Sequence, residues 1–167
     1  MGSFRNLIDA FMAEKKVMVG DAQWNKGPRF ETEGQRRSLQ TLAINGEICP
    51  VKMVIDEYPS HVGLKFSIAL VCEVEVVRLD YGKISWHVNH HPLPEGVPFG
   101  RIDGPHIHSW PLNRSLFSSN LFPDALYWAV PIPQNLKSFS NTFRWMCGEH
   151  NVECEKEIPE LRGDLLL

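Results

Sequence analysis

Histidine is concentrated in one stretch of this 167-residue chain, where five of its seven histidines lie between positions 87 and 108. Alternate side chains of a β-strand share a face. His87, Asn89 and His91 are therefore expected to project together from one strand. His106 and His108 would do the same on the next strand. If the intervening Pro/Gly-rich loop returns the second strand beside the first, four imidazoles and one carboxamide meet on one face of a sheet.

The first chemistry open to such a group is metal binding. Two or three neutral imidazoles bind a borderline divalent metal such as zinc, manganese, iron or nickel, and they leave positions for water. The candidate ligands are His106, His108 and His91, and Asp103 is the closest carboxylate in sequence that could complete the set.

The second chemistry is acid–base catalysis without a metal. Imidazole titrates near working pH, so one histidine can accept a proton from a ribose 2′-hydroxyl while another protonates the leaving oxygen. We expect His91 and His108 to form this pair, with His106 and His87 as their partners or as metal ligands.

Four further residues near the histidines are candidates for substrate contact, because they offer charge, amide hydrogen bonds or an aromatic face. An arginine would stabilise a phosphate group. These candidates are Asn89, Arg101, Trp110 and Arg114.

Two interpretations involve no catalysis. The imidazoles could join Trp86, Trp110 and Trp128 in a surface that binds a ligand or a protein. Alternatively the histidines are structural, with His87 and His108 hydrogen-bonded within the sheet.

The four cysteines form no CxxC pair and no disulfide-rich spacing, which is typical of reduced thiols in a cytoplasmic protein. Cys147, His150 and Cys154 nevertheless follow a C-x2-H-x3-C pattern near the expected end of a helix. Thiolate and imidazole are zinc ligands, but a closed zinc site needs a fourth ligand that the neighbouring sequence does not supply. The alternative is a helix whose last turn buries one cysteine.

Composition and charge narrow the class of protein. The chain is 43% hydrophobic and 22% charged, as globular proteins are, with a net charge of −3. No apolar run approaches the roughly 20 residues of a membrane span, and no secretory signal pattern is present, so we expect a cytoplasmic protein that does not bind a membrane.

Residues 1–150 carry 15 basic and 15 acidic side chains, which leaves the net charge in residues 151–167. A neutral body disfavours avid nucleic-acid binding but not a local site.

The elements that would position these residues follow from hydrophobic periodicity. Apolar residues with helical spacing between Phe4 and Met12 predict an N-terminal helix, and residues 19–36 are expected to form a loop. Asn45-Gly46 predicts a hairpin turn between strands at 38–44 and 47–56. The alternating pattern of residues 64–79 predicts one long strand.

The second half of the chain has shorter expected elements, which follow a turn at residues 80–82. They are strands at 83–91, 106–110 and 125–130 and an amphipathic helix at about 134–148. Hairpin-like connections and the lack of a GxGxxG motif favour a single α+β domain over residues 1–150. Its antiparallel sheet would have about six strands. The N-terminal and C-terminal helices would pack on one side of it, and residues 151–167 would form an acidic tail.

One segment also carries a resemblance. Between Leu79 and about residue 150 the chain contains Asn89, His91, Gly104-Pro105-His106-Ile107-His108, Trp110 and Trp128-Ala129-Val130-Pro131-Ile132-Pro133. This pattern resembles an uncharacterised family of small bacterial and phage-borne proteins that combine Gly-Pro-His-x-His with Trp-Ala-x-Pro-x-Pro. The resemblance covers under half of the chain. It implies that the histidines act as a unit, and it implies no reaction.

Together these patterns favour a histidine-dependent hydrolase, namely a phosphodiesterase or ribonuclease of a toxin-like or phage-conflict system. Its partner would be RNA or a nucleotide at a local site, and its cofactor either none or a divalent metal. The alternative is a non-catalytic inhibitor, such as a phage-encoded anti-defence protein, that binds a protein partner through the acidic tail and the Trp-rich surface. The sequence leaves the oligomeric state open.

Overall fold

The structure is a computed structural model that describes residues 4–117, 122–154 and 160–161. Within these residues the chain forms eleven strands and four α-helices. The strands are β1 (Lys16–Val19), β2 (Trp24–Lys26), β3 (Arg36–Ile44), β4 (Glu47–Glu57), β5 (Lys65–Cys72), β6 (Val74–Gly82), β7 (Trp86–Asn89), β8 (Gly100–Asp103), β9 (His106–His108), β10 (Val130–Pro131) and β11 (Val152–Glu153). The helices are α1 (Phe4–Ala13), α2 (Phe30–Glu33), α3 (Trp110–Asn113) and α4 (Phe139–Glu149).

Nine of the described strands form one mostly antiparallel sheet. Its order is β10-β9-β6-β5-β4-β3-β1-β11, with β2 paired to β3 beside β1. The β1–β11 pair is parallel, and β7 and β8 form a separate two-stranded hairpin. The expected α+β class with an antiparallel sheet is confirmed. The expected number of about six strands is wrong, because several strands of two to four residues are too short to give a periodic signal.

The predicted single strand at residues 64–79 is wrong, because these residues belong to two strands, β5 and β6. The chain reverses at Glu73, whose φ is 62°, and Cys72 pairs directly with Val74. No glycine, proline or asparagine marks this turn, and the apolar alternation continues across it. Asp80, which was assigned to a turn, consequently lies within β6.

The first third of the chain contains more structure than expected. The helix at the N-terminus is confirmed as α1, and the Asn45-Gly46 turn is confirmed, with φ of 51° and 83° at its two residues. The expected loop at 19–36 is wrong, since it holds β2 and α2.

A single hydrophobic cluster packs against the central strands. Met53, Leu70 and Val77 are neighbours on adjacent strands and are fully buried. Ile8 of α1 and Phe143 of α4 belong to the same cluster. No helix among the described residues is long and apolar enough to cross a membrane.

The structure describes α4 and, of the expected acidic tail, residues 151–154 and 160–161. Helix α4 begins at Phe139, after the Ser138 side chain caps it by accepting a hydrogen bond from the Asn141 amide, so the expected start at 134 is wrong. Residues Val152–Glu153 join the sheet beside β1, and Leu161 is buried. Residues 155–159 and 162–167 of the expected tail lie outside the described residues.

Candidate metal centre

Strand β9 supplies two histidines to one face of the sheet. His106 and His108 alternate with Ile107, which is buried in the hydrophobic cluster. On the neighbouring strand β6, Asp80 lies opposite His106 and Arg78 lies opposite His108. Both imidazoles are buried, with 3% and 5% exposure.

The third histidine comes from the β7–β8 hairpin. The imidazole of His87 contacts both others, with ring centroids 5.7 Å from His106 and 4.6 Å from His108. One ring nitrogen from each of His87, His106 and His108 lies within 4.8 Å of the other two. This three-histidine cluster is the one group of metal-ligating side chains that converges within the described residues.

Backbone carbonyls fix the protonation of two of the rings. Nε2 of His87 lies 2.8 Å from the Tyr127 carbonyl oxygen, and Nδ1 of His106 lies 2.9 Å from that of Gly104. A carbonyl only accepts hydrogen bonds, so these nitrogens carry a proton, and in a neutral ring the opposite nitrogen has the lone pair. Metal-binding histidines are typically held in this way.

His108 has the least satisfied ring of the three. Its Nδ1 is buried and has no hydrogen-bond partner of good geometry within the described residues. Burial lowers the pKa of His108 to about 3, with further lowering by His87 and His106 and a partial offset by the nearby Trp128 backbone. Burial, with a contribution from His106, also lowers the pKa of His87. Both rings are therefore neutral at neutral pH, which is the form that binds a metal.

The spacing of the rings suits a tetrahedral ion. Zn–N bonds of about 2.0–2.1 Å place the centroids of ligating imidazoles about 5 Å apart. The observed centroid separations are 4.6, 5.4 and 5.7 Å. Ligand atoms around such an ion are roughly 3.3 Å apart, so the rings would have to turn their nitrogens toward a common centre on binding.

Two buried asparagines position the carbonyl that holds His87. The Asn113 side chain accepts hydrogen bonds from the amides of Tyr127 and Trp128 and donates one to the Trp128 carbonyl. The Asn89 side chain accepts from the Ala129 amide and donates to the Ala129 carbonyl. Residues 127–129 are thus held from both sides, in an asparagine clamp formed by Asn89 and Asn113. Asn89, expected to contact substrate, has its amide engaged in this clamp.

A carboxylate stands at the edge of the cluster. Oδ2 of Asp80 is 3.9 Å from Nε2 of His106, and both Asp80 oxygens accept hydrogen bonds from Nε of Arg78, at 2.9 and 3.0 Å. The same guanidinium also binds Glu75. Asp103, the carboxylate favoured by sequence proximity, instead forms an exposed ion pair with Arg101. Asp80 is the site residue that sequence reasoning missed.

His91 lies outside the three-histidine cluster. It is exposed and stacks on Phe99 at 4.9 Å, because β7 ends at Asn89 and the chain turns away through Pro92. The expected acid–base pair of His91 and His108 is therefore not brought together, and His87 takes the place of His91 among the candidate ligands.

The remaining expected substrate contacts have partners within the protein. The Trp110 indole and the Arg114 guanidinium both bind the carboxylate of Asp9. Arg101 lies over the Trp86 ring at 5.0 Å while pairing with Asp103. Through these contacts Trp110 and Arg114 connect the α3 region to α1.

The C-x2-H-x3-C residues do not converge as a metal site. His150 Nδ1 hydrogen-bonds the Met146 carbonyl within α4. Burial and the neighbouring Cys154 raise the pKa of the Cys147 thiol, which opposes the thiolate that zinc requires.

Comparisons with known proteins assign no family to the chain. No protein-family model matches it, and no curated protein and no solved structure is significantly similar to it.

Proposed function

We propose that the chain is a metal-dependent hydrolase of phosphodiester bonds that holds a divalent ion between His87, His106 and His108. The observation that carries this proposal is the convergence of the three ring nitrogens within 4.8 Å. The carbonyl contacts of His87 and His106 support it, because they leave lone pairs available to an ion.

His87, His106 and His108 would hold the ion, which would supply a water activated as the nucleophile. Asp80 lies beside the ligand set, where its carboxylate can accept a proton. Arg78, opposite His108, pairs with Asp80 and Glu75 and would hold the Asp80 carboxylate beside the ligand set. A role in a toxin-like or phage-conflict system rests on the sequence resemblance and stays a prediction.

Metal titration of the chelator-treated protein tests the proposal. We expect one Zn²⁺, Mn²⁺ or Co²⁺ per chain by calorimetry. Loss of a residue that only hydrogen-bonds a metal ligand typically weakens metal binding by roughly 10–100-fold. Substituting any one of His87, His106 or His108 by Ala should weaken metal binding by more than this. His91→Ala is the matched control, since His91 belongs to the same sequence block but lies outside the cluster.

Hydrolysis of a bis-aryl phosphodiester, cyclic nucleotides and RNA is then measured with and without the bound metal. Activity should require the metal and should survive His91→Ala. A protein that binds no divalent metal would contradict the proposal. Metal-independent activity that disappears in His91→Ala would restore the acid–base mechanism instead.

A second candidate is a non-catalytic protein-binding role. It is favoured by large exposed apolar side chains around the β7–β8 hairpin, namely Ile84, Trp86 and Phe99, with exposures of 65%, 57% and 70%. Exposed apolar side chains mark an interaction site where they form one contiguous patch. Under this function a stable complex with a partner would survive His106→Ala and be lost in Trp86→Ala.

A further inference from the structure

A small polar cavity of about 110 Å³ lies next to the three-histidine cluster. It is bounded by the residue that precedes α2, the segment between β4 and β5, and the middle of β6. Pockets for drug-sized ligands are about 300–1,000 Å³, so this cavity suits a small ion or a single functional group. Its charged lining side chains are Arg29, Glu33, Lys65, Arg78 and Asp80.

Tyr58 lines this cavity, and its hydroxyl proton has no acceptor within the described residues. Its oxygen already accepts two hydrogen bonds, from Nη2 of Arg29 at 3.2 Å and from Nε2 of Gln35 at 3.1 Å. The Gln35 amide cannot be reversed, because its Oε1 accepts a hydrogen bond from the backbone amide of Arg29 at 2.8 Å. Within the described residues no group accepts the phenolic proton, although Tyr58 is only 9% exposed. Burial, reinforced by Asp56, raises the pKa of Tyr58 and so keeps this proton in place.

Three cations, Arg29, Lys65 and Arg78, and two carboxylates, Glu33 and Asp80, line the cavity. Glu75, which pairs with Arg78 from outside the lining, brings the local charge to zero. Arg78 is matched by Asp80 and Glu75, and Arg29 is matched by Glu33. Lys65 forms no ion pair with any carboxylate in the part of the chain that the structure describes, and its Nζ lies 4.9 Å from the centre of the Tyr58 ring. A cation without a counter-ion and a hydroxyl without an acceptor therefore meet at one small cavity.

We propose that this cavity binds a tetrahedral oxyanion of the phosphate class, with Lys65 and the Tyr58 hydroxyl as donors. Resting on the proposed function, this anion is the phosphate group of the substrate. Asp80 connects the two sites, since it lines the cavity and its Oδ2 lies 3.9 Å from Nε2 of His106. A phosphate in the cavity would lie across Asp80 from the three-histidine cluster, and the rest of the substrate would stay outside because the cavity is too small for a nucleoside.

Titration of the metal-free, ¹⁵N-labelled protein with sodium phosphate at constant ionic strength tests the cavity. Saturable shifts are expected at the amides of Tyr58, Lys65 and Ser85. Lys65→Gln should weaken phosphate binding about tenfold or more, as expected for a charge-assisted hydrogen bond. Lys52→Gln, which changes an exposed lysine of β4, should leave it unchanged. Absence of saturable shifts, or equal affinity in Lys65→Gln, would overturn the proposal.

Tyr58→Phe is the second variant, because it removes the donated proton. Phosphate affinity should fall while the dispersion of the amide spectrum shows that the fold persists. Unchanged affinity in this folded variant would remove Tyr58 as a donor and contradict the proposal.

Two further measurements separate this inference from the proposed function. If Lys65→Gln binds the metal normally while wild type binds no phosphate, the anion site fails and the metal centre stands. If His106→Ala binds phosphate normally while wild type binds no metal, the metal centre fails and the anion site stands.

The link to substrate is tested by inhibition of phosphodiester hydrolysis. Inorganic phosphate should compete with the substrate, and Lys65→Gln should raise KM more than it lowers kcat. Phosphate that binds in the cavity without competing would show that the substrate phosphate lies elsewhere.

Discussion

Asp80 and His106 are direct partners across β6 and β9, and a carboxylate oxygen of Asp80 lies 3.9 Å from Nε2 of His106. The carboxylate is held by the Arg78 guanidinium, which is itself partly buried between Asp80 and Glu75. This pair joins the two proposed sites, because Asp80 borders the histidine cluster on one side and the polar cavity on the other.

Replacing this carboxylate should affect the metal more than the fold. Asp80→Asn keeps the shape of the side chain but removes the negative charge beside the ion. We expect divalent-metal affinity to fall about tenfold or more, as measured by calorimetry, because a negative charge close to the ion stabilises it. Asp103→Asn is the control, because that carboxylate forms an exposed pair with Arg101. Equal metal affinity in both variants would show that Asp80 does not act on the ion.

The sequence predicts those parts of the site that depend on local geometry. Alternation along a strand places His106 and His108 on one face, as predicted. Asp80 could not be found in this way, because its position beside His106 depends on the pairing of two strands separated by 26 positions of sequence. His91 was grouped with His87 on the assumption that the strand continues, whereas β7 ends at Asn89.

In the fold, too, features set by local sequence could be predicted, and features set by the pairing of distant strands could not. The Asn45-Gly46 turn is predictable because both residues adopt positive φ readily. The turn at Glu73 is not, because tertiary pairing of β5 with β6 imposes a positive φ on a residue that rarely adopts it. The expected placement of both terminal helices on one side of the sheet stays a prediction.

Removing a thiol from the C-x2-H-x3-C pattern should leave metal binding intact. Cys154 is half-buried and next to Cys147, whose thiol is kept protonated by burial. Cys154→Ser should therefore contain as much zinc per chain as wild type by elemental analysis after gentle purification. Loss of zinc in Cys154→Ser, with retention in His106→Ala, would move the metal site to the end of α4.

The contact of Asp9 with Arg114 and Trp110 should make stability depend on acid pH. Hydrogen bonds from Arg114 and then Trp110 lower the pKa of Asp9 from its ordinary 3.8 to about 2. Because the folded pKa is the lower one, the contact stabilises the protein fully above about pH 4. That stabilisation is lost as the pH falls from about 4 to 2.

Asp9→Asn tests this dependence through guanidinium unfolding at pH 6 and at pH 3. Wild type should exceed the variant in unfolding free energy at pH 6, by a small amount since the pair is partly exposed, and the difference should shrink at pH 3. Asp21→Asn, at an exposed position, is the control. A difference that is the same at both pH values would contradict the assignment.

The asparagine clamp should be important for both stability and the metal centre. Asn113→Ala removes a side chain that is fully buried and makes two hydrogen bonds to Trp128 and one to Tyr127. The freed backbone groups would remain buried without partners, so we expect a loss of about 2–4 kcal/mol in the free energy of unfolding. Asn25→Ala, at an exposed position of β2, should change it by less than about 0.5 kcal/mol.

Metal affinity gives a second readout of the same variant. The clamp holds the Tyr127 carbonyl 2.8 Å from Nε2 of His87, and so it fixes the orientation of that ring. Asn113→Ala should therefore weaken metal binding about tenfold, measured below the unfolding midpoint where the chain stays folded. A variant that is less stable but binds metal as tightly as wild type would show that His87 is oriented without the clamp, through its contacts with His106 and His108 alone.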